Sequence, residues 1–212
     1  MSKTNKKKSK KTNNIPLIIA AICFVIFVLI SIAILTDNIS WLDNGVYSIV
    51  SKIICKPMTA FFKAITMFCE TEFILSILAL FIIFGKNKKT SSYIVVNSGL
   101  CVLINQFFKR IFVRTRPVGI ALINQGGYSF PSGHSMMAVA FYGLLIYIIN
   151  KSNLSKNKKT ISTIVLSLLT FLIGLSRIYL GVHFASDVIG GFALSLAYLI
   201  IFIKFIYTKK EN

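Results

Sequence analysis

The sequence predicts an all-α fold: a polytopic membrane helical bundle with six transmembrane spans plus an interfacial amphipathic helix. Three observations carry that prediction. First, 55% of the 212 residues are hydrophobic and the mean hydropathy is +0.75, too apolar for an ordinary soluble domain. Second, apolar stretches long enough to cross a hydrocarbon core of about 30 Å recur along the chain. Third, the net charge of +18 is gathered in short clusters that flank those stretches. Lys3, Lys6, Lys7, Lys8, Lys10 and Lys11 precede the first stretch. Lys86, Lys88 and Lys89 share one short loop, Lys151, Lys156, Lys158 and Lys159 another, and Lys209 and Lys210 close the chain. That is the distribution of the positive-inside rule. It leaves no soluble domain to present charge, so nucleic acid is not an expected partner. Attraction to anionic headgroups, about 1 kcal/mol per residue, is a side effect.

Taken in order, residues 1–14 form a basic tail expected to be disordered and cytoplasmic. Residues 15–207 form one membrane domain, and residues 208–212 a second cytoplasmic tail. Ile15–Leu35 is free of charge and makes the first span. No small-residue cleavage site follows it convincingly, so it is expected to be retained. Over Asp37–Met58, Trp41, Leu42, Val46, Ile49, Val50, Ile53 and Ile54 recur at helical spacing among polar residues, which fits a helix lying in the interface. The second span is expected to start near Phe61 and run to Phe84, with Glu70 and Glu72 solvated in its outer portion. Ser91–Phe108 is the third span, Ser132–Ile149 the fourth, Thr160–Ser176 the fifth and Ala185–Phe205 the sixth. Cys23, Cys55, Cys69 and Cys101 show no metal-ligand spacing. Cys23 and Cys101 read as packing residues, whereas Cys55 and Cys69 leave pairing on an oxidising face open.

With the N-terminus in the cytoplasm, six spans place the lysine-rich loops and the C-terminus inside. The same count gathers three other segments on the outer side: 109–117, 131–134 and 176–187. They hold all four arginines and both histidines. Topology does not explain cations there, and ionisable groups at membrane depth default to function. His183 and Asp187 are four apart and share a helical face. An Asp accepting from one ring nitrogen leaves the other as a nucleophile or base, or the pair is a structural hydrogen bond. Arg177 precedes them, and Gly181 allows a bend. In the second segment Ser132 is a plausible N-cap. The free N–H groups behind it, with Gly133, can form an anion site, and His134 can protonate a departing oxygen. In the first segment Lys109 and Arg116 can converge on one anion, with Pro117 stiffening the exit. Arg110 and Arg114 read as interface anchors.

These segments resemble the type 2 phosphatidic acid phosphatase superfamily. Its membrane members share the pattern K-x6-RP, PSGH and SR-x5-H-x3-D. Lys109-x6-Arg116-Pro117, Pro131–His134 and Ser176-Arg177-x5-His183-x3-Asp187 match it at every fixed position. The resemblance covers roughly residues 58–205. It implies a helical bundle with six spans, and a phosphatase in which His183 forms a phosphohistidine and Asp187 orients it. It implies that His134 protonates the leaving group and then activates water. Lys109, Arg116, Arg177, Ser132 and Gly133 would hold the non-bridging oxygens. No cofactor or metal is expected, since cations and amides replace a divalent ion. The expected substrate is a lipid phosphate of the cell membrane: undecaprenyl diphosphate, phosphatidylglycerophosphate or phosphatidic acid. About a dozen residues separate Pro117 from Pro131, too few for a lid domain, so an open site is expected. A soluble vanadium-dependent haloperoxidase uses a similar anion site, which a membrane chain disfavours. A non-enzymatic anion or lipid-phosphate binder or transporter is the other reading, and it has no need of an oriented His183.

Overall fold

A computed structural model describes residues 14–208, with side chains described through residue 206. The basic tails expected from the sequence therefore lie almost wholly outside the described residues. Those described are helical or irregular, with no strand. Helix α1 spans Ile15–Leu35, with Pro16 in its first turn, where a missing N–H costs nothing. Helix α2 spans Ser40–Val50 and runs into a 3-10 turn at Ser51–Ile53. Then follow α3 (Lys56–Met67), α4 (Thr71–Phe84), α5 (Lys88–Phe112), α6 (Gly133–Lys151), α7 (Lys156–Tyr179) and α8 (Ala185–Thr208).

Six stretches are long and apolar enough to cross a membrane: α1, α3 with α4, α5, α6, α7 and α8. The second is not the single helix expected from Phe61. It starts earlier, at Lys56, and breaks at residues 68–70, where Glu70 takes the position before α4. The interfacial segment is also shorter than Asp37–Met58, because Met58 already belongs to α3. Its helix α2 nonetheless has the expected two faces. Trp41 and Ile49 are exposed, while Ile39, Asp43 and Val50 are buried on one stripe.

Helix α6 sits at the centre, packed by α5, α7 and α8, and α1 lies against α8. One core cluster joins Ile94, Phe141, Leu144, Ile173 and Leu199. Another gathers Phe27, Phe130, Met136 and Leu194. Outward-facing Leu29, Phe84, Leu103, Phe107, Ile164 and Phe205 are exposed apolar residues, as a helix surface against lipid requires. The lysine-rich α4–α5 and α6–α7 connections lie at one end of the bundle. The end of α5, residues 113–132, the start of α6 and the α7–α8 turn meet at the other. The three segments singled out by their cations fold together at that second end.

Candidate active site

The α7–α8 turn is made locally. The carbonyl of Arg177 accepts from the amides of Val182 and His183, each at 3.2 Å. Gly181 takes φ +67°, and a Cβ there would sit 2.2 Å from the Ile120 carbonyl oxygen. Only glycine fits both the left-handed backbone and that close approach. Helix α8 begins four residues later, at Ala185. Asp187 Oδ2 accepts from the amide of Phe184 at 2.9 Å, a reach back across the first turn that caps the helix. The same oxygen lies 3.3 Å from His183 Nδ1 and accepts from the hydroxyl of Ser129.

The far nitrogen of His183 fixes the tautomer. Its Nε2 lies 3.0 Å from Nη1 of Arg116. A guanidinium has no acceptor, so Nε2 must present its lone pair and the ring proton must sit on Nδ1, toward Asp187. Burial pushes the His183 imidazolium down to about 3. Asp187 opposes that by hydrogen bond and charge, while Arg116 and Arg177 add to it. The ring is therefore neutral at any ordinary pH, with a lone pair aimed at a cation.

The cations are held by one loop. Arg116 donates from Nε to the Gly127 carbonyl at 2.9 Å, from Nη2 to Gly126 at 2.9 Å, and from Nη1 to Val182 at 2.7 Å. Lys109 donates to the Tyr128 carbonyl. Arg177 is fully buried and donates at 2.6 Å to both Thr66 Oγ1 and Gln125 Oε1, while its Nε is buried without a partner. Residues 125–128 thus supply neutral oxygens to three cations. The segment is too short for a lid domain, as expected, but it does cover part of the basic cluster.

His134 enters on the first turn of α6. Its Nε2 lies 3.2 Å from Glu70 Oε1, and Glu70 is 4.0 Å from Arg177. The reading of Glu70 as a merely solvated residue is corrected: the break between α3 and α4 delivers it to His134. Gly133 lines the cavity, and its amide begins the helix behind the cap. Ser132 is the N-cap expected, its Oγ accepting from the Ser135 amide at 3.4 Å and hydroxyl at 2.9 Å. It is wholly buried and does not line the cavity, so its hydroxyl serves the cap and does not face the space beside the two histidines. Arg114 is also corrected. It is no interface anchor but bridges two carboxylates, Asp187 Oδ1 at 2.6 Å and Asp43 Oδ2 at 2.7 Å. Arg110 lines the cavity mouth. Cys55 and Cys69 are both free thiols.

One cavity of about 700 Å³ joins these groups to the membrane-facing side of the bundle. His134, His183, Lys109 and Arg116 line its polar end, and Leu78 of α4 and Val102 of α5 its apolar end. A phosphate at the first end and a hydrocarbon chain at the second would match that lining.

Asp43, Ser129 and Gln125 were not singled out by sequence reasoning, and Glu70 was read there only as solvated. Asp43 did leave a signal, being an acid on the Ile39–Val46–Val50 stripe where only apolar residues pack for nothing. Gln125 and Ser129 left none, since irregular loop residues have no periodicity to break.

The chain was compared with known proteins. The PAP2 superfamily matches residues 90–211. Phosphatidylglycerophosphatase B of Bacillus subtilis (strain 168) is 32% identical over 179 residues, covering 82% of this chain and 87% of that protein. Among solved structures, the transmembrane PAP2-type phosphatidylglycerolphosphate phosphatase from Bacillus subtilis aligns with a TM-score of 0.82. The two are 27% identical, over 89% of this chain and 96% of that one. LpxE of Aquifex aeolicus shares the fold, with a TM-score of 0.64 at 24% identity over 77% of this chain and 95% of that one.

Proposed function

This chain belongs to the PAP2 superfamily, and we propose that it removes the terminal phosphate of a membrane lipid through a phosphohistidine on His183. At the coarser level it is a multi-span membrane phosphatase, a hydrolase of phosphate esters. Phosphatidylglycerophosphate is the leading substrate of the proposal, because that is what the two Bacillus subtilis relatives are named for. Undecaprenyl diphosphate and phosphatidic acid stand behind it.

The observation that carries the reading is the state of His183: neutral, protonated on the Asp187 side, with the Nε2 lone pair directed at Arg116, where a bound phosphate would draw the guanidinium away from it. In the first step the Nε2 lone pair forms an N–P bond, and the bond from phosphorus to the lipid oxygen breaks. His134 donates a proton to that oxygen, so the alcohol leaves neutral. In the second step His134, now a base, takes a proton from water as the water oxygen attacks phosphorus. The N–P bond breaks, the electron pair returns to Nε2 and inorganic phosphate departs. Lys109, Arg116 and Arg177, with the Gly133 amide, stabilise the equatorial oxygens throughout. Ser132 contributes to phosphate binding by capping, through Ser135, the helix turn that carries the Gly133 amide. No metal is required in this scheme.

We place the protein in the cell membrane with both termini cytoplasmic and the site at the outer face. Support comes from the lysine-rich loops at the end of the bundle opposite the histidines. Residues 1–14 and 208–212 are then tails on the single phosphatase domain of residues 15–207. The test is phosphate release in detergent, with EDTA, from a panel of the three lipids. Wild type should turn over at least one, and His183→Ala none. Acid quench should leave labelled phosphate on His183 in wild type. Undiminished release by His183→Ala would sink the mechanism.

A further inference from the structure

We propose that Asp43 is a positioning residue for phosphoryl transfer: from interfacial helix α2 it restrains Arg114, and so leaves one oxygen of Asp187 free for His183. The inference rests on His183 being the nucleophile. Asp43 is buried at 4% exposure, on a helix whose other side carries exposed Trp41 and Ile49. Its Oδ1 accepts from the amide of Ser186 at 2.9 Å, and its Oδ2 from the Ser186 hydroxyl at 3.0 Å. Oδ2 also receives Nη2 of Arg114 at 2.7 Å. The other terminal nitrogen, Nη1, reaches Asp187 Oδ1 at 2.6 Å and Ser186 Oγ at 2.7 Å. The guanidinium also lies 4.3 Å from the Phe184 ring, which holds its plane.

The fork of an arginine prefers to take both oxygens of one carboxylate. Here it does not: each terminal nitrogen serves a different Asp. Asp187 therefore meets Arg114 through Oδ1 alone and keeps Oδ2 for His183, Ser129 and the Phe184 amide. Remove the charge at position 43, and nothing opposes a bidentate pair between Arg114 and Asp187. Oδ2 would then be shared with a cation, and its hold on the His183 proton would weaken. Asp43 touches neither substrate nor histidine, so its effect passes through Arg114 and through Ser186, the neighbour of Asp187. Helix α8 does not need Asp43 for capping alone, since Asp187 already caps the Phe184 amide.

Asp43→Asn isolates the effect, because the amide oxygen still accepts from Ser186 while the charge facing Arg114 is lost. Lipid-phosphate turnover by this variant should show kcat reduced at least tenfold, with KM within twofold. Asp43→Glu, which keeps the charge, should lie closer to wild type than Asn does. In the Arg114→Gln background, Asp43→Asn should cost no further kcat. A readout free of turnover is the proton NMR resonance of His183 Nδ1–H, which should move upfield in Asp43→Asn. Wild-type release and its loss in His183→Ala judge the phosphatase reading separately, and the resonance judges this inference even without turnover. An unmoved resonance, kcat within twofold of wild type, Glu no better than Asn, or additive losses with Arg114→Gln would each overturn it.

Discussion

Replacing Asp187 by Asn tests the central pair most directly, and its outcome can be worked from the contacts. The amide has one acceptor and one donor group where the carboxylate had two acceptors. With the oxygen toward His183, the Phe184 amide, Ser129 and the Nδ1 proton keep their acceptor, and only Arg114 meets a donor. With the amide reversed, its NH₂ opposes the Phe184 N–H. The His183 proton is also driven to Nε2, against Arg116. The first orientation leaves one buried mismatch and the second two. At about 1–3 kcal/mol for each orphaned donor, the first wins and the tautomer survives. What is lost is charge. Under the proposed mechanism the ring becomes cationic as Nε2 bonds to phosphorus, with a carboxylate 3.3 Å away. At an effective dielectric of about 20, that interaction is worth about 5 kcal/mol, or between 10³- and 10⁴-fold in rate at about 1.4 kcal/mol per decade. Single-turnover phosphate release in detergent should show this fall, with KM within a few-fold and a thermal midpoint showing the variant folded. A folded Asp187→Asn enzyme within tenfold of wild-type kcat would refute the reasoning.

Three other outcomes follow from particular contacts. Gly181→Ala puts a Cβ into the Ile120 carbonyl in a left-handed backbone; thermal melts should show a loss of at least about 2 kcal/mol, with kcat falling as the His183 turn shifts. Gly99 lines the cavity and a Cβ there meets nothing within 4 Å, so Gly99→Phe should fold well. It should cut kcat/KM for long-chain lipid phosphates about tenfold, the equivalent of about two buried methylenes, and spare a soluble aryl phosphate; equal losses on both would contradict a tail groove. Because His183 titrates near 3, ¹⁵N-histidine NMR at pH 5 should still show an unprotonated Nε2. The unfolded chain takes up that proton near the ordinary histidine value of about 6.5. The stability this histidine contributes is therefore complete above that value and is lost progressively as pH falls toward 3.

Spans and motifs were legible because each obeys a short-range rule. The six crossings follow from apolar length, and the shared face of His183 and Asp187 from a four-residue spacing. The break at residues 68–70 was not legible: Glu70 and Glu72 interrupt the apolar run there without signalling a helix end, and only tertiary contact between Glu70 and His134 makes the kink intelligible. Arg114 was misread for a related reason. A cation beside an apolar segment looks like a snorkelling side chain until its partner is known. Its partner Asp43 comes from a helix 71 residues earlier, a pairing no local pattern contains. Ser132 was half legible, since the cap could be read from sequence but not the burial of its hydroxyl.

The loop over the cations accounts for how so much positive charge packs into one corner of the bundle. Arg116, Lys109 and Arg177 do not face one another bare. Carbonyls of Gly126, Gly127 and Tyr128 and the Gln125 amide oxygen accept from them. Each is a neutral acceptor, so these bonds draw on the charge of the cation alone, whereas a phosphate oxygen adds its own charge and, for an arginine, bidentate geometry. A phosphate arriving under the proposed mechanism would therefore meet donors already aligned by their substitutes. It would replace weaker bonds by stronger ones with little reorganisation. Arg116 gains most from the exchange, because its Nη1 also contacts the His183 lone pair. When that N–H turns to a phosphate oxygen, the same motion that binds the substrate uncovers the nucleophile. An arginine at this position spans loop and histidine with one rigid fork, which a lysine could not, and under the proposed mechanism it would release the histidine in exchange for the phosphate.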